Sequence, residues 1–241
     1  MDQGADMDPV RTRHIRLSRP PRHQAYYDRL AFLVTRAIKD LAGDRTPQAA
    51  GLRIIDVGCG KGEIMKSLAG AGYRPLGVDL FHGCALASKP YGHTIVADLT
   101  TLDSLFPNGY FDLVVCSHVL EHIENPRRAV EAMKKITARW LVIVVPNLLR
   151  LQNVFLRRPR IINEGHLHGW DAHHLRTFLE VGCRLRIIRW IRDGIYLTPL
   201  HRGAFLHSRI LRGIEYGALP FLAPLAGGSL IVVCEKAEGR S

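Results

Sequence analysis

The chain has 241 residues, 47% of them hydrophobic, which is enough for one α/β domain with a sizeable core and excludes wholesale disorder. Cys59, Cys84, Cys116, Cys183 and Cys234 are widely spaced and form no CxxC pair, so neither a disulfide framework nor a zinc knuckle is indicated. Reduced thiols and a cytoplasmic location are expected. Thirty-three Lys and Arg against 22 Asp and Glu give +11, and residues 127–192 alone hold 14 basic against four acidic side chains, or +10. Such a surface attracts phosphate on nucleic acid, on anionic lipid or on a metabolite, or it serves only to keep the protein dissolved.

Residues 1–23 mix Arg, Pro, His and Asp without apolar periodicity and read as a flexible basic arm, with no apolar stretch of a secretory signal. The remainder, 24–241, reads as a single domain. Tyr27, Leu30, Leu33, Thr35, Ile38 and Leu41 recur at helical spacing, predicting an amphipathic helix over Gln24–Leu41. A polar connection over Gly43–Gly51 follows.

Short apolar runs then alternate with helical stretches. The runs are Leu52–Val57, Arg74–Asp79, His93–Ala97, Phe111–Cys116 and Trp140–Val145, with helices expected at Ile64–Ala71 and Pro126–Thr137. β-Branched runs separated by helices imply a parallel sheet covered on both faces. Arg184–Ile191 and Ser229–Glu235 look like two further strands, separated by an insertion at about 195–228. Within it Phe205, Leu206, Ile210, Leu211 and Ile214 fall on one side of a candidate helix. The uncharged run Tyr216–Cys234 is interrupted by Pro220, Pro224 and Gly227-Gly228, so it reads as a loop and a buried strand rather than a membrane span.

The first strand ends in Asp56-Val57-Gly58-Cys59-Gly60-Lys61-Gly62. Glycines at alternate positions let the backbone turn tightly and approach a ligand, and the helix that follows offers unpaired N–H groups. A phosphate-binding GxxxxGK[ST] loop is absent, and Glu63 stands where the dinucleotide fingerprint needs a small residue. The remaining DxGxGxG pattern resembles motif I of the class I S-adenosylmethionine-dependent methyltransferases. Asp79, at the end of the second strand, and Asp98, after the third, stand at the family's intervals.

The resemblance implies a seven-stranded, doubly wound Rossmann-like α/β sheet, mostly parallel, with an antiparallel last strand. It implies S-adenosyl-L-methionine as cofactor. Asp56 would lie near the donor's amino acid end, over the loop Gly58, Cys59, Gly60 and Gly62. Asp79 would take the ribose hydroxyls and Asp98 the adenine amino group, with Leu80, Leu99 and Ser117 beside them.

After the fourth strand comes Ser117-His118-Val119-Leu120-Glu121-His122, in which 118, 121 and 122 share a face if the segment is helical. It resembles a motif of the ubiquinone-biosynthesis O-methyltransferases and of small-RNA 2′-O-methyltransferases, where ExxEH helps hold a divalent metal; here His118 replaces the first glutamate. A second group follows the fifth strand: His166, His168, Asp171, His173 and His174. His118 and His166 are the candidate general bases, since both follow strand ends and imidazole titrates near neutrality. A metal set of His118, Glu121, His122 and His166 or His168 is the alternative, and packing or capping is the plain structural one. His173 and His174 are placed on a helix capped by Asp171.

The leading expectation is O-methylation of a small-molecule or lipid- or glycan-linked hydroxyl, with peripheral contact to an anionic membrane through Leu148–Ile162 or the insertion. RNA 2′-O-methylation with a divalent metal, and a non-catalytic cofactor-binding partner protein, are the alternatives.

Overall fold

In a computed structural model, which describes residues 21–43, 51–150, 165–195 and 213–237, helix α1 (Pro21–Ala42) precedes an alternation of strands and helices. The order is β1 (Ile54–Val57), α2 (Glu63–Gly70), β2 (Leu76–Asp79), α3 (His82–Ser88), β3 (His93–Val96), α4 (Leu102–Leu105), β4 (Phe111–Ser117) and α5 (Pro126–Ile136). There follow β5 (Thr137–Pro146), α6 (Ala172–Thr177), β6 (Leu185–Ile191), α7 (Leu219–Leu222) and β7 (Ser229–Lys236). The seven strands form one sheet, ordered β3-β2-β1-β4-β5-β7-β6. β1 to β5 pair in parallel, and β7 runs antiparallel between β5 and β6. This is the expected sheet, with the expected antiparallel last strand.

Strand alternation supplies two cores. Leu113 and Val115, Val142 and Val144, and Ile231 and Val233 point to the face covered by Leu30, Val34 and Ile38 of α1 and by Ile64 and Leu68 of α2. Val114 and Cys116, Ile143 and Val145, and Val232 and Cys234 point the other way. They meet Ala129, Val130, Met133 and Ile136 of α5, and Leu175 of α6. Asn125 starts α5 by accepting the Arg128 N–H at 3.0 Å, and Pro126 occupies an opening position where a missing N–H costs nothing.

Strand order reverses between β1 and β4, so a crevice opens at the carboxyl ends of these two strands. The glycine loop lies at one and His118 at the other. Because β7 is antiparallel, its first residue, Ser229, pairs with Pro146 and reaches the same edge.

Three local expectations are corrected. The helix begins at Pro21, not at Gln24, since proline's fixed φ suits a first helical turn; residues 21–23 therefore belong to α1 and not to an arm. Residues 118, 121 and 122 share no helix face: His118 has φ 55°, and only the single tight turn Leu120–His122 follows. The run from Tyr216 opens in a wide helical turn (Ile214–Ala218) and α7, where Pro220 sits in the first turn, before the loop into β7. Residues 1–20, 151–164 and 196–212 lie outside the described residues, and with them most of the arm, of the Leu148–Ile162 segment and of the candidate helix at 205–214. Among the described residues, no helix is long and apolar enough to cross a membrane.

Candidate active site

The loop after β1 is built by three glycines with positive φ, and they differ in what surrounds them. A Cβ on Gly58 (φ 72°) would stand 2.2 Å from Val119 Cγ2, and one on Gly62 (φ 80°) 2.8 Å from Ser88 Cβ. Gly60 (φ 53°) faces open space, with nothing within 4 Å of its Cβ position. Protein packs against Gly58 and Gly62, whereas Gly60 is suited to glycine by its left-handed φ alone and leaves its side open. Cys59 is spent inside the protein: its N–H donates to the Val78 carbonyl at 3.0 Å, its carbonyl accepts from Gly62 at 2.8 Å, and its buried thiol lies 3.3 Å from Ser88 Oγ. Burial pushes that thiol up to about 12.

Two carboxyl groups flank the loop. Asp79 accepts the Gly60 N–H at 2.8 Å on one oxygen and the Phe81 N–H at 2.9 Å on the other. Burial raises its pKa, and these N–H groups offset part of the rise. Asp56 is 2% exposed, and its Oδ2 is buried without a hydrogen-bond partner. Burial first, then the charges of Glu63 and Asp79, push it up to about 8. Farther along the edge, Asp98 is exposed and accepts both the N–H and the hydroxyl of Thr100 at 2.8 Å, while Leu80 is about half exposed and Leu99 buried.

These residues fit an adenosylmethionine. Among the described residues the buried Asp56 oxygen has no hydrogen-bond partner, Gly60 has open space at its Cβ position, and α2 opens without a side-chain cap on its first N–H groups.

Across the crevice, β4 ends at Ser117. His118 still donates its N–H to the Val144 carbonyl (2.9 Å) before its left-handed conformation turns the chain away. Val119 then seats against Gly58, which ties the histidine to the cofactor loop. Glu121, 1% exposed, has its Oε1 3.3 Å from His118 Nδ1 and 3.9 Å from His122 Nε2. Burial works to raise the Glu121 carboxyl, but the two imidazoles outweigh it and hold the pKa below its ordinary value. The Glu121 carbonyl accepts the N–H groups of Leu167 (2.7 Å) and His168 (3.1 Å), which pins the histidine loop beneath it.

The structure divides the predicted histidines. His118 Nε2 faces Ser229 Oγ (3.1 Å) and Tyr26 OH (3.3 Å), away from the others. His166 stacks edge-on against His122 at 4.7 Å, and Glu121, His122 and His166 each offer a ligand atom within 4.8 Å of one another. His122 Nδ1 donates to the Gly165 carbonyl at 2.9 Å, which leaves its Nε2 for the cluster. His168 is not a member; its Nε2 is buried and unpartnered. Of the set His118, Glu121, His122 and His166 or His168 read from sequence, the described residues bring Glu121, His122 and His166 within ligand distance of one another; His118 Nδ1 reaches Glu121 but lies outside that group. Asp171 caps α6 by accepting the His174 N–H at 2.9 Å, as expected.

Tyr26, Asp193 and Ser229 were not singled out from the sequence. Asp193, 1% exposed, accepts the N–H groups of Gly194 (2.6 Å) and Ser229 (2.9 Å). Their one sequence signal is weak: Asp193 is a lone acid directly after a basic, apolar strand.

A glycine loop at the reversal point of a 3-2-1-4-5-7-6 sheet, with acids at successive strand ends, defines a class I S-adenosylmethionine-dependent methyltransferase. A family model described as a methyltransferase domain matches residues 22–181, and the chain belongs to that family. Its relatives include ubiquinone biosynthesis O-methyltransferases. That of Ralstonia nicotianae is 34% identical over 180 residues, covering 72% of this chain and 71% of the relative. That of Methylococcus capsulatus is 27% identical over 194 residues, with coverage of 74% and 80%. Among solved structures, a SAM-dependent methyltransferase from Archaeoglobus fulgidus superposes with TM-score 0.59 at 20% identity, covering 86% of this chain and 94% of that one. The magnesium protoporphyrin IX methyltransferase of Synechocystis with bound SAH also reaches 0.59, at 18% identity and coverage of 94% and 92%.

Proposed function

We propose that this methyltransferase acts on a hydroxyl group of a small or lipid-linked acceptor, with His118 as the general base. The observation that carries the reading is the His118–Glu121 pair. A buried carboxylate 3.3 Å from Nδ1 favours a proton on that nitrogen and leaves Nε2 to accept one from an acceptor hydroxyl. Adenosylmethionine, when bound, supplies an electrophilic methyl group. Asp79 and Asp98 would hold its adenosine, Asp56 its ammonium, and Gly60 gives its chain room.

As a proton leaves the acceptor, the Glu121 carboxylate beside Nδ1 stabilises the imidazolium that forms. The left-handed backbone at His118 fits this role, since strain of this kind is kept where the surroundings fix a side chain for function. The rest of the rate comes from positioning and exclusion of water.

The oxygen specificity is in keeping with the relatives' names. Five free, buried thiols suit a cytoplasmic setting. Exposed Phe221 and Leu222, with Arg192 over the Phe221 ring at 5.3 Å, suit a protein that touches an anionic membrane to reach a lipid-linked acceptor.

The test is methyl transfer from labelled donor to a panel of phenols, catechols, sugars and lipid-linked phenols. Turnover at oxygen is expected, with His118→Gln lowering kcat roughly 10²- to 10⁴-fold at unchanged affinity for S-adenosylhomocysteine. Transfer to nitrogen or carbon, or full activity of His118→Gln, overturns the reading. The Glu121, His122 and His166 cluster favours a second, metal-assisted reading, which extends to RNA 2′-hydroxyls. Activity that survives chelation, with no metal found by elemental analysis, removes it.

A further inference from the structure

His118 is held by more groups than proton removal requires. Glu121 Oε1 stands 3.3 Å from Nδ1 at ion-pair distance, but among the described residues neither carboxylate oxygen makes a hydrogen bond, so its charge favours a hydrogen on Nδ1, with Nε2 as acceptor, without fixing it. Two hydroxyls meet that acceptor: Ser229 Oγ at 3.1 Å and Tyr26 OH at 3.3 Å, themselves hydrogen-bonded to each other. One lone pair takes one donor, so the second hydroxyl donates to the first. The rings of Tyr26 and Tyr27 stand edge-on to the imidazole at 5.9 and 5.7 Å, boxing it from the N-terminal helix.

Ser229 is fixed in turn, because its N–H donates to the buried Asp193 carboxyl. Burial, and then the Asp193 charge, push the Tyr26 hydroxyl well above its ordinary pKa, so it remains a donor throughout the working range. The four groups come from α1, the turn after β4, the residues after β6 and the start of β7. Tyr26, Ser229 and Glu121 meet at His118, and Asp193 joins them through Ser229.

We propose that Tyr26 and Ser229 are positioning residues that act through His118, fixing its ring in the Nδ1–H tautomer with Nε2 presented to the acceptor, and that Asp193 anchors the pair. This rests on the reading of His118 as base. It adds that the N-terminal helix completes the acceptor side, and that an incoming hydroxyl exchanges with one already in place. The same contacts account for the left-handed φ at His118, which needs surroundings that over-determine it.

The experiment is long-range ¹H–¹⁵N correlation of the histidine rings at a pH where they are neutral, with His118 assigned through His118→Gln. In the unaltered protein, one His118 nitrogen is expected in the pyrrole-like range and the other in the pyridine-like range. Tyr26→Phe with Ser229→Ala should move both toward averaged values, and Ser229→Thr should restore the split.

With any acceptor from the panel, kcat should fall roughly ten- to hundredfold in the double variant. Affinity for S-adenosylhomocysteine should stay unchanged. Should the double variant fail to fold, the single variants give the same readout at smaller amplitude. Unaltered ¹⁵N shifts in folded variants overturn the proposal, whatever the activity. Altered shifts with no hydroxyl acceptor found would uphold the positioning and leave the O-methylation reading as the one at fault.

Discussion

Two neighbouring glycines should fail in opposite ways when each is replaced by alanine. At Gly58 the new Cβ meets Val119 Cγ2 at 2.2 Å, and the residue must also hold φ 72°. The left-handed conformation costs an alanine about 1–2 kcal/mol and the overpacking about 1–3 kcal/mol, so we predict a loss of roughly 2–5 kcal/mol. For a domain of this size that lowers Tm by roughly 4–20 °C. At Gly60 the backbone cost is similar but the Cβ meets nothing, so the loss stays near 1–2 kcal/mol, or roughly 2–8 °C. Its damage falls on binding, because the methyl group fills the space left for the cofactor. Calorimetric titration with S-adenosylhomocysteine should show at least tenfold weaker binding by folded Gly60→Ala. Adding Val119→Ala to Gly58→Ala should recover the packing share, a coupling of roughly 1–3 kcal/mol, and leave the φ share. Equal melting losses at the two sites with no recovery would refute the packing argument. Unimpaired binding by Gly60→Ala would refute the placement of the cofactor.

Asp56 is expected to show an opposition between stability and binding. Its folded pKa, about 8, lies above the unfolded value of 3.8, so the unliganded protein loses stability as pH rises through that window. Melting curves of Asp56→Asn against the unaltered protein should diverge in the variant's favour up to about pH 8 and then run parallel, while the variant loses cofactor affinity; a constant difference would show that Asp56 is ionised throughout. Asp79→Ala should bind S-adenosylhomocysteine far more weakly and leave the loop less ordered, since it removes the acceptor of the Gly60 and Phe81 N–H groups; unchanged affinity by calorimetry would reject the cofactor pose. His166→Ala should lower turnover more than cofactor affinity, and full turnover would remove the histidine loop from the acceptor side.

The parts legible in the sequence share a reason: each is a local rule repeated along the chain. Val114, Val115 and Cys116 announce a strand buried on both faces because neighbouring residues point to opposite cores, α1–α2 on one side and α5–α6 on the other. The glycine loop was legible because close backbone approach can be met by one residue type. The stretch 118–122 misleads for a physical reason. A spacing of i, i+3 and i+4 is shared by a helix and by a left-handed residue followed by one tight turn. The residue types separate them only weakly: histidine is enriched among non-glycine residues at positive φ, yet such residues are a few per cent of the total, so a helix remains the default reading.

The surroundings of His118 are not legible for a different reason. Tyr26 and Ser229 lie 92 and 111 residues from His118 along the chain. No periodicity links them; they meet because the antiparallel β7 starts where the parallel strands end, and because α1 crosses that edge. One consequence follows for sites of this architecture. The cofactor half is assembled from consecutive βα turns, so its residues sit in order with regular intervals. The groups around His118 Nε2 come instead from the first helix and the last strand, which meet at the same edge. The sequence therefore shows the glycine loop plainly and the surroundings of His118 poorly. Tyr26 near one end of the chain and Ser229 near the other converge on one imidazole, with Asp193 holding the Ser229 N–H behind it.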